Sequence, residues 1–598
     1  MKKTRYSVKT VCLLAMCGVA LFANAQDDKK KEQDLNRQMT LEREYDPSVQ
    51  DASKVNTLPQ VKEPEVRKIP IDYSDYTLAM DPAQQISVLP SGNIMTQMDY
   101  NKRRGYLRLG AGTYMNLNGD FGYHALSTAT DQLSIAFSHR SANGNVKYIQ
   151  LPDEKVKAKI NDNLGGLKYA HAFEKASLNV GLNYGYSAYN YYGLSMLSFS
   201  SLPMQDLLNK ADRETNQVNQ TIAATLGVES KEDADLAYLV DLGIVNFSRK
   251  YGISKDTDGP KETTIEAKVN VSKRFNGDMR FGLEALVEYF NYSLPAEKAL
   301  PNGGFYICEF ENHAEVALHP YYEVEGENWK VRLGANVMLK TGDESLFMAT
   351  PNVAANFEVA DKTELYIKAN GKLYSNSMYE MSKINRYLPA EELTPSRNWL
   401  DGVLGIKSGV APGFWFDIFA GYKMTSDDVL FVPGRTFEEG GFGNFSEAMS
   451  GINTKQLFVG ASLKYSYQQL FELTLKGQYN NWKAEYGDEW IGFSDSSLEH
   501  AWGKPEMELN AGVMVRPMDK LAVALDYSLA TGRYTLLAGV DLYKMNNINE
   551  LNLTATYTLN DTFGFYAKVN NLLSQKYELY YGYPMQRLSA QVGVNINF

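Results

Sequence analysis

The stretch Leu588-Ser589-Ala590-Gln591-Val592-Gly593-Val594-Asn595-Ile596-Asn597-Phe598 decides the fold. Leu588, Ala590, Val592, Val594, Ile596 and Phe598 share one face of an extended chain; Ser589, Gln591, Gly593, Asn595 and Asn597 share the other. A period of two is a strand period, and a helix cannot sort these residues onto two faces. The same alternation runs upstream. Leu551, Leu553, Ala555, Tyr557 and Leu559 interleave with Asn552, Thr554, Thr556 and Thr558. Leu521 to Leu529 alternates around Asp526 and Ser528, Trp329 to Leu339 around Lys330, Arg332 and Asn336, and Phe471 to Leu475 around Glu472 and Thr474.

A soluble sandwich would also alternate, so the connections must discriminate. Short polar turns stand at every second connection, for example Glu174-Lys175, Asn276-Gly277-Asp278, Ala411-Pro412-Gly413, Gln468-Gln469 and Asn560-Asp561. Between them lie mostly longer stretches, at 190–215, 374–397, 426–453, 485–503 and 530–546. Short turns on one side and long loops on the other are the mark of an inserted barrel, with the turns periplasmic and the loops external. The expected fold is an all-β, transmembrane antiparallel β-barrel of about 22 strands over residues 102–598.

Composition agrees. The mean hydropathy is −0.36, and beyond the first 25 residues no apolar run approaches the length of a membrane-spanning helix. A barrel hides its apolar face in alternate residues, so it escapes a window average. Tyr occurs 40 times against 26 Phe, as suits a protein with interfacial aromatic girdles. The net charge of −11 argues against a nucleic-acid partner.

The N-terminal residues read as a targeting segment. Lys2, Lys3, Arg5 and Lys9 precede an apolar stretch from Val11 to Ala23, and Ala23-Asn24-Ala25 reads as a small-x-small cleavage site. Residues 1–25 are therefore expected to be a signal peptide. Cys308 is then the one cysteine of the mature chain, expected as a small packed residue in a strand. Residues 26–101 hold six of the 20 prolines and charge clusters such as Asp27 to Glu32, the texture of an extended tail. Within it Met39, Leu41, Arg43 and Tyr45 alternate with polar residues and form a candidate docking strand for a periplasmic protein, against the alternative of a plain linker.

The segment Val569-Asn570-Asn571-Leu572-Leu573-Ser574-Gln575-Lys576-Tyr577 resembles the Asn-Leu-Phe-x-x-x-Tyr-like motif of TonB-dependent receptors. Gly582-Tyr583-Pro584, Arg587 and a final strand ending in the aromatic Phe598 extend the resemblance, and the Ala-Asn-Ala-Gln signal end is similar to Bacteroidota outer-membrane proteins. Met585-Gln586 departs from the family's Pro-Gly pair. The resemblance implies an integral outer-membrane location with periplasmic termini, contact with outer-membrane lipid, and Phe598 as the signal read by the barrel-insertion machinery. It also implies ligand passage or partner-gated transport. The alternative is a non-transport subunit of an envelope assembly or surface-protein complex. Residues 26–101 are too short and too proline-rich for a complete plug, so the tail is expected to fill part of a wide lumen.

By parity the lumen carries both signs of charge, among them Glu284, Glu288, Arg332, Glu364, Asp417 and Lys476. Unpaired charges cannot sit dry, so the interior is wet or filled by polar chain; the charges form either a wall of cross-strand ion pairs or a solute-selecting surface. The loops 426–453 and 485–503 bring Phe431, Phe437, Phe442 and Phe445, then Trp490, Phe493 and Trp502, among acidic residues. These are candidate contacts for a ligand or a surface lipoprotein, against the alternative that the loops pack on one another and cap the barrel. No catalytic, cofactor or metal site is expected. His139 and Ser141 form a hydrolase-like pair without a third group visible in the sequence. His313 and His319 lie too far apart along a strand to share a metal.

Overall fold

A computed structural model describes residues 103–598, except 195–215, 232–235, 254, 276, 297, 300–304, 307, 343–344, 435–444, 487–499 and 538–540. The signal segment, the tail with Met39, Leu41, Arg43 and Tyr45, and Phe437, Phe442, Trp490 and Phe493 lie outside the described residues.

One antiparallel sheet of 22 strands runs round the molecule. Consecutive strands pair throughout, and the strand Gly105–Gly112 pairs with Ser589–Asn597 to close the barrel. The parity read from the sequence is the parity of the wall. Val592 is 65 % exposed on the outside, whereas its neighbour Gln591 is 6 % exposed inside. Outward Leu333, Ile367, Leu404, Leu457 and Val459 are likewise exposed, as an apolar belt bathed in lipid requires.

The two-sided asymmetry is also present. Lys155–Ala172 joins Ala176–Asn190, and Phe414–Pro433 is joined from Ser396–Ala411, by tight turns at one end of the barrel. The opposite end carries the long connections. Two strands run further than the sequence suggests: Phe414–Pro433 and Ser446–Tyr467 continue past the expected loop boundary, so Phe431 belongs to a strand. Leu430, Val432, Met449 and Ile452 extend them because they pack with Trp502 and Leu536 into one cluster. Cys308 corrects another expectation. It lies between strands rather than in one, buried with Phe247, Phe310 and Met378 beneath a folded loop.

Among the described residues the lumen wall carries the cross-strand ion pairs Arg332–Glu284 (2.7 Å), Lys407–Glu364 (3.1 Å), Lys330–Glu323 (3.2 Å) and Lys464–Glu472 (3.4 Å). Three of these pairs brace adjacent strands on one face, and Arg332–Glu284 reaches over the strand His313–Glu325 that lies between its partners. A barrel of this strand number is nevertheless too wide for wall side chains to fill. What occupies its long-loop mouth is therefore the functional question.

Candidate functional site

A loop crosses the mouth. Residues 375–395 leave the wall after the strand Thr363–Tyr374 and return at Ser396. Asn376 fastens the two ends. Its φ of +51° turns the chain inward, and its side-chain amide donates to Thr394 O (2.7 Å) and Ser396 Oγ (2.9 Å). A short helix, Met378–Ile384, follows. Ser377 caps it, accepting from Glu380 N–H. Glu262, on another strand, accepts from Ser377 Oγ and Tyr379 N–H, each at 3.0 Å. A carboxylate at a helix N-terminus meets the unsatisfied donors there and the positive end of the dipole.

Beyond the helix, the loop reaches the far wall. Arg386 makes a two-pronged pair with Asp162, both bonds 3.1 Å. Asp162 lies on Lys155–Ala172, nine strands round the 22-stranded ring from the loop's own origin, which is nearly the opposite side. Tyr189 Oη donates to Arg386 O (2.5 Å), and Arg249 donates to Leu388 O (2.9 Å). On the remaining side Ser446 N–H donates to Tyr387 O (3.0 Å) and Tyr580 Oη to Ile384 O (2.7 Å). The crossing is thus tied to several sectors of the wall.

A second loop, 571–588, folds over the same mouth. Asn571 forms its entry with φ +49°, donating to Gln575 O and accepting from Gln575 N–H at 2.9 Å each. This is the structural content of the Asn-Leu-Leu-x-x-x-Tyr motif: the asparagine builds the turn, and Tyr577 donates to Glu550. Leu194 N–H then donates to Gly582 O (3.0 Å), where a φ of +80° suits glycine.

The two loops meet in tyrosines. Tyr387 stacks on Tyr583 with ring centres 3.8 Å apart, and Tyr192 meets both edge-on. Burial pushes the phenols of Tyr387 and Tyr583 up, so they stay neutral. Glu578 sits nearby, its carboxyl raised by burial from 4.5 to about 7, although Gly582 N–H and Gln150 donate to it. Arg533 is fully buried, pulled down by that burial to about 10, and donates to Glu578 O at 2.8 Å.

The aromatic candidates are part of this cover. Trp502 is 1 % exposed and packs in the cluster with Leu430 and Ile452. Phe431 packs edge-on against Tyr580, and Phe445 against Tyr191. All three pack against neighbours within the mouth, Phe431 from the end of a strand and Phe445 and Trp502 from connections, and Trp502 is not the exposed contact that the sequence suggests. Phe598 is half-exposed outside, stacked on Phe121 and Tyr123, and its backbone pairs with Gly105 at the barrel seam. The residues that hold the loop 375–395 across the mouth, Asp162, Arg249, Glu262 and Arg386, carried no motif. His313 stacks on Phe290, and His319 hydrogen-bonds Asn336 at 2.6 Å.

No family model and no curated protein matches the sequence. Solved structures do match the fold. The ferric-catecholate import receptor Fiu from E. coli K12 superposes with a TM-score of 0.59 at 10 % identity, covering 83 % of this chain and 82 % of that one. The FrpB iron transporter from Neisseria meningitidis gives 0.61 at 10 % identity, covering 83 % and 82 %. The copper transporter OprC gives 0.58 at 12 % identity, covering 83 % and 80 %. All three are TonB-dependent receptors. At these identities the likeness is one of fold: the chain has the barrel of that group.

Proposed function

We propose that this chain is an outer-membrane receptor and transporter whose long-loop end faces outward and is gated by its own loops. The observation that carries the reading is the loop 375–395, which leaves one side of the wall and is tied to the far side through Arg386–Asp162 and Arg249–Leu388. A wide barrel without such a cover would leak solutes. By their titles the fold neighbours include a ferric-catecholate import receptor and a copper transporter, and a gated mouth is what import of a scarce ligand requires. The ligand enters from outside, displaces the crossing loop, and passes a lumen walled by charges of both signs.

The tail belongs to the same proposal. After cleavage of residues 1–25, residues 26–101 extend on the periplasmic side, partly filling the lumen, with Met39, Leu41, Arg43 and Tyr45 offered as an added strand to a periplasmic protein. Phe598, at the seam, is the residue that the insertion machinery reads. The test is made in cells. Replacing residues 378–393 with a short Gly-Ser linker should sensitise them to a large hydrophilic antibiotic. Unchanged sensitivity, with normal barrel levels in the outer membrane, would contradict a gating role for this loop.

A further inference from the structure

The outer wall near the barrel seam departs from a plain lipid face. Ile135 and Phe137 point outward, so parity places His139 and Ser141 outward as well. Val146, of the opposite parity, is buried in the core of the mouth, consistent with this assignment. On the next strand, Asn163 and Asn161 are the register partners of His139 and Ser141. The four join in one row. Ser141 Oγ lies 3.0 Å from His139 Nε2, His139 Nδ1 lies 2.8 Å from Asn163 Oδ1, and Asn163 Nδ2 donates to Asn161 Oδ1 at 2.8 Å.

Height makes this row notable. His139 stands eight residues above the strand start at Asp131, about 26 Å along the strand. With a tilt near 40° that is about 20 Å of height, close to the upper edge of an apolar band about 25 Å tall. The row therefore lies where acyl chains give way to their linkages. Higher still on the same face stand Lys159, Lys157 and Lys155, the last paired in register with Lys147. Each step is about 6.6 Å along the strand from the one before.

Below the row lies a groove of about 1010 Å³ with apolar walls. It follows a single register line across seven strands, Leu521, Tyr557, Phe565, Val594, Leu109, Gly119 and finally His139. Six strand spacings make it roughly 30 Å long. Its floor is low because Gly119, Ala111, Ala555 and Ala567 are small. One end lies beside the short turn 517–520 and the other at His139.

We infer that this wall holds an anionic acylated lipid. Its chain lies in the groove, its ester or amide linkage on the His139–Ser141–Asn163–Asn161 row, and its phosphate among the lysines above. Apolar groove, hydrogen-bonding polar row and cationic cluster follow one another in the order of such a lipid's own parts, and that complementarity selects the occupant. The serine, histidine and asparagine are also ordered as a nucleophile, base and orienter would be. Acyl transfer further needs donors for the oxyanion, but the ladders to Leu117 and Asn161 take up the strand amides beside Ser141. The row is therefore a binding element.

The test is native mass spectrometry of the purified full chain in detergent, offered equal amounts of phosphatidylglycerol and phosphatidylcholine with identical chains. The wild type should retain one phosphatidylglycerol in preference. Replacing Lys155, Lys157 and Lys159 together by Gln should lower its retention roughly tenfold, to the phosphatidylcholine level. Gly119→Leu should lower retention of both lipids. A Cβ there meets Leu109 at an ordinary 3.5 Å, so the residue fits while filling the groove. Ala285→Phe, outward on another sector opposite Leu318, should change neither. Heat-modifiable migration certifies that each variant is folded. Equal retention of the two lipids by the wild type, or indifference of a folded lysine or Gly119 variant, would overturn the inference. So would release of free fatty acid from the bound lipid, which would make the row a reaction centre instead.

Discussion

Ile135 and Ala136 are neighbours in sequence and strangers in environment. Ile135 faces lipid and Ala136 faces the wide lumen. Ile135→Arg should cost about 2–4 kcal/mol near the midplane and deplete the protein from the outer membrane. Ala136→Arg should be assembled normally. Quantitative blotting of outer-membrane fractions compares the two, and equal losses would refute the parity of the wall. Glu578 allows a second test. Its folded pKa, about 7, is raised above 4.5. The stabilisation from its neutral form is thus complete below about 4.5 and is lost as pH rises through 7. Protease cutting within the mouth loops should increase from pH 5 to pH 8 in the wild type and stay flat in Glu578→Gln. A slope shared by both proteins would remove Glu578 from the account. Parity was legible in the sequence because it depends on neighbours two apart. Asn163 as the partner of His139 was not, because that contact depends on the register of two strands.

At the scale of elements, the turns and strands were readable and the loop contacts were not. Turn residues such as Asn560 and Gly413 act locally, so Asn560 accepting from Thr562 and Phe563 leaves its mark in the sequence. Arg386 meets Asp162 across 224 residues, and nothing near either residue announces the other. Trp502 misled for a related reason. An aromatic in a long connection reads as exposed until the strands beside it are known to continue upward as packing partners. The loop 375–395 should behave as one latch with several fastenings. Arg386→Ala should weaken it by about 1.5–3 kcal/mol, the range for a hydrogen bond to a charged group. Asp162→Ala should cost a similar amount, and the double variant should cost less than the sum. Hydrogen exchange of the amides in 378–388 measures this. Strict additivity would mean that the pair does not hold the loop.

For the whole molecule, strand number, closure and the asymmetry of its two ends followed from alternation and turn spacing. These are repeated some twenty times and so survive local irregularity. How the lumen is closed did not follow. The sequence offered the proline-rich tail for part of the lumen and loops that cap the barrel as an alternative; the described residues show the long-loop mouth crossed by 375–395 and 571–588. Single-channel recording on the purified full chain in a planar bilayer measures the central claim most directly. The wild type should be silent or nearly so, and replacement of residues 378–393 by a short linker should produce a large, steady conductance with the tail still present. A wild type that conducts freely, or a loop-deleted barrel that stays silent while folded, would contradict closure by this loop.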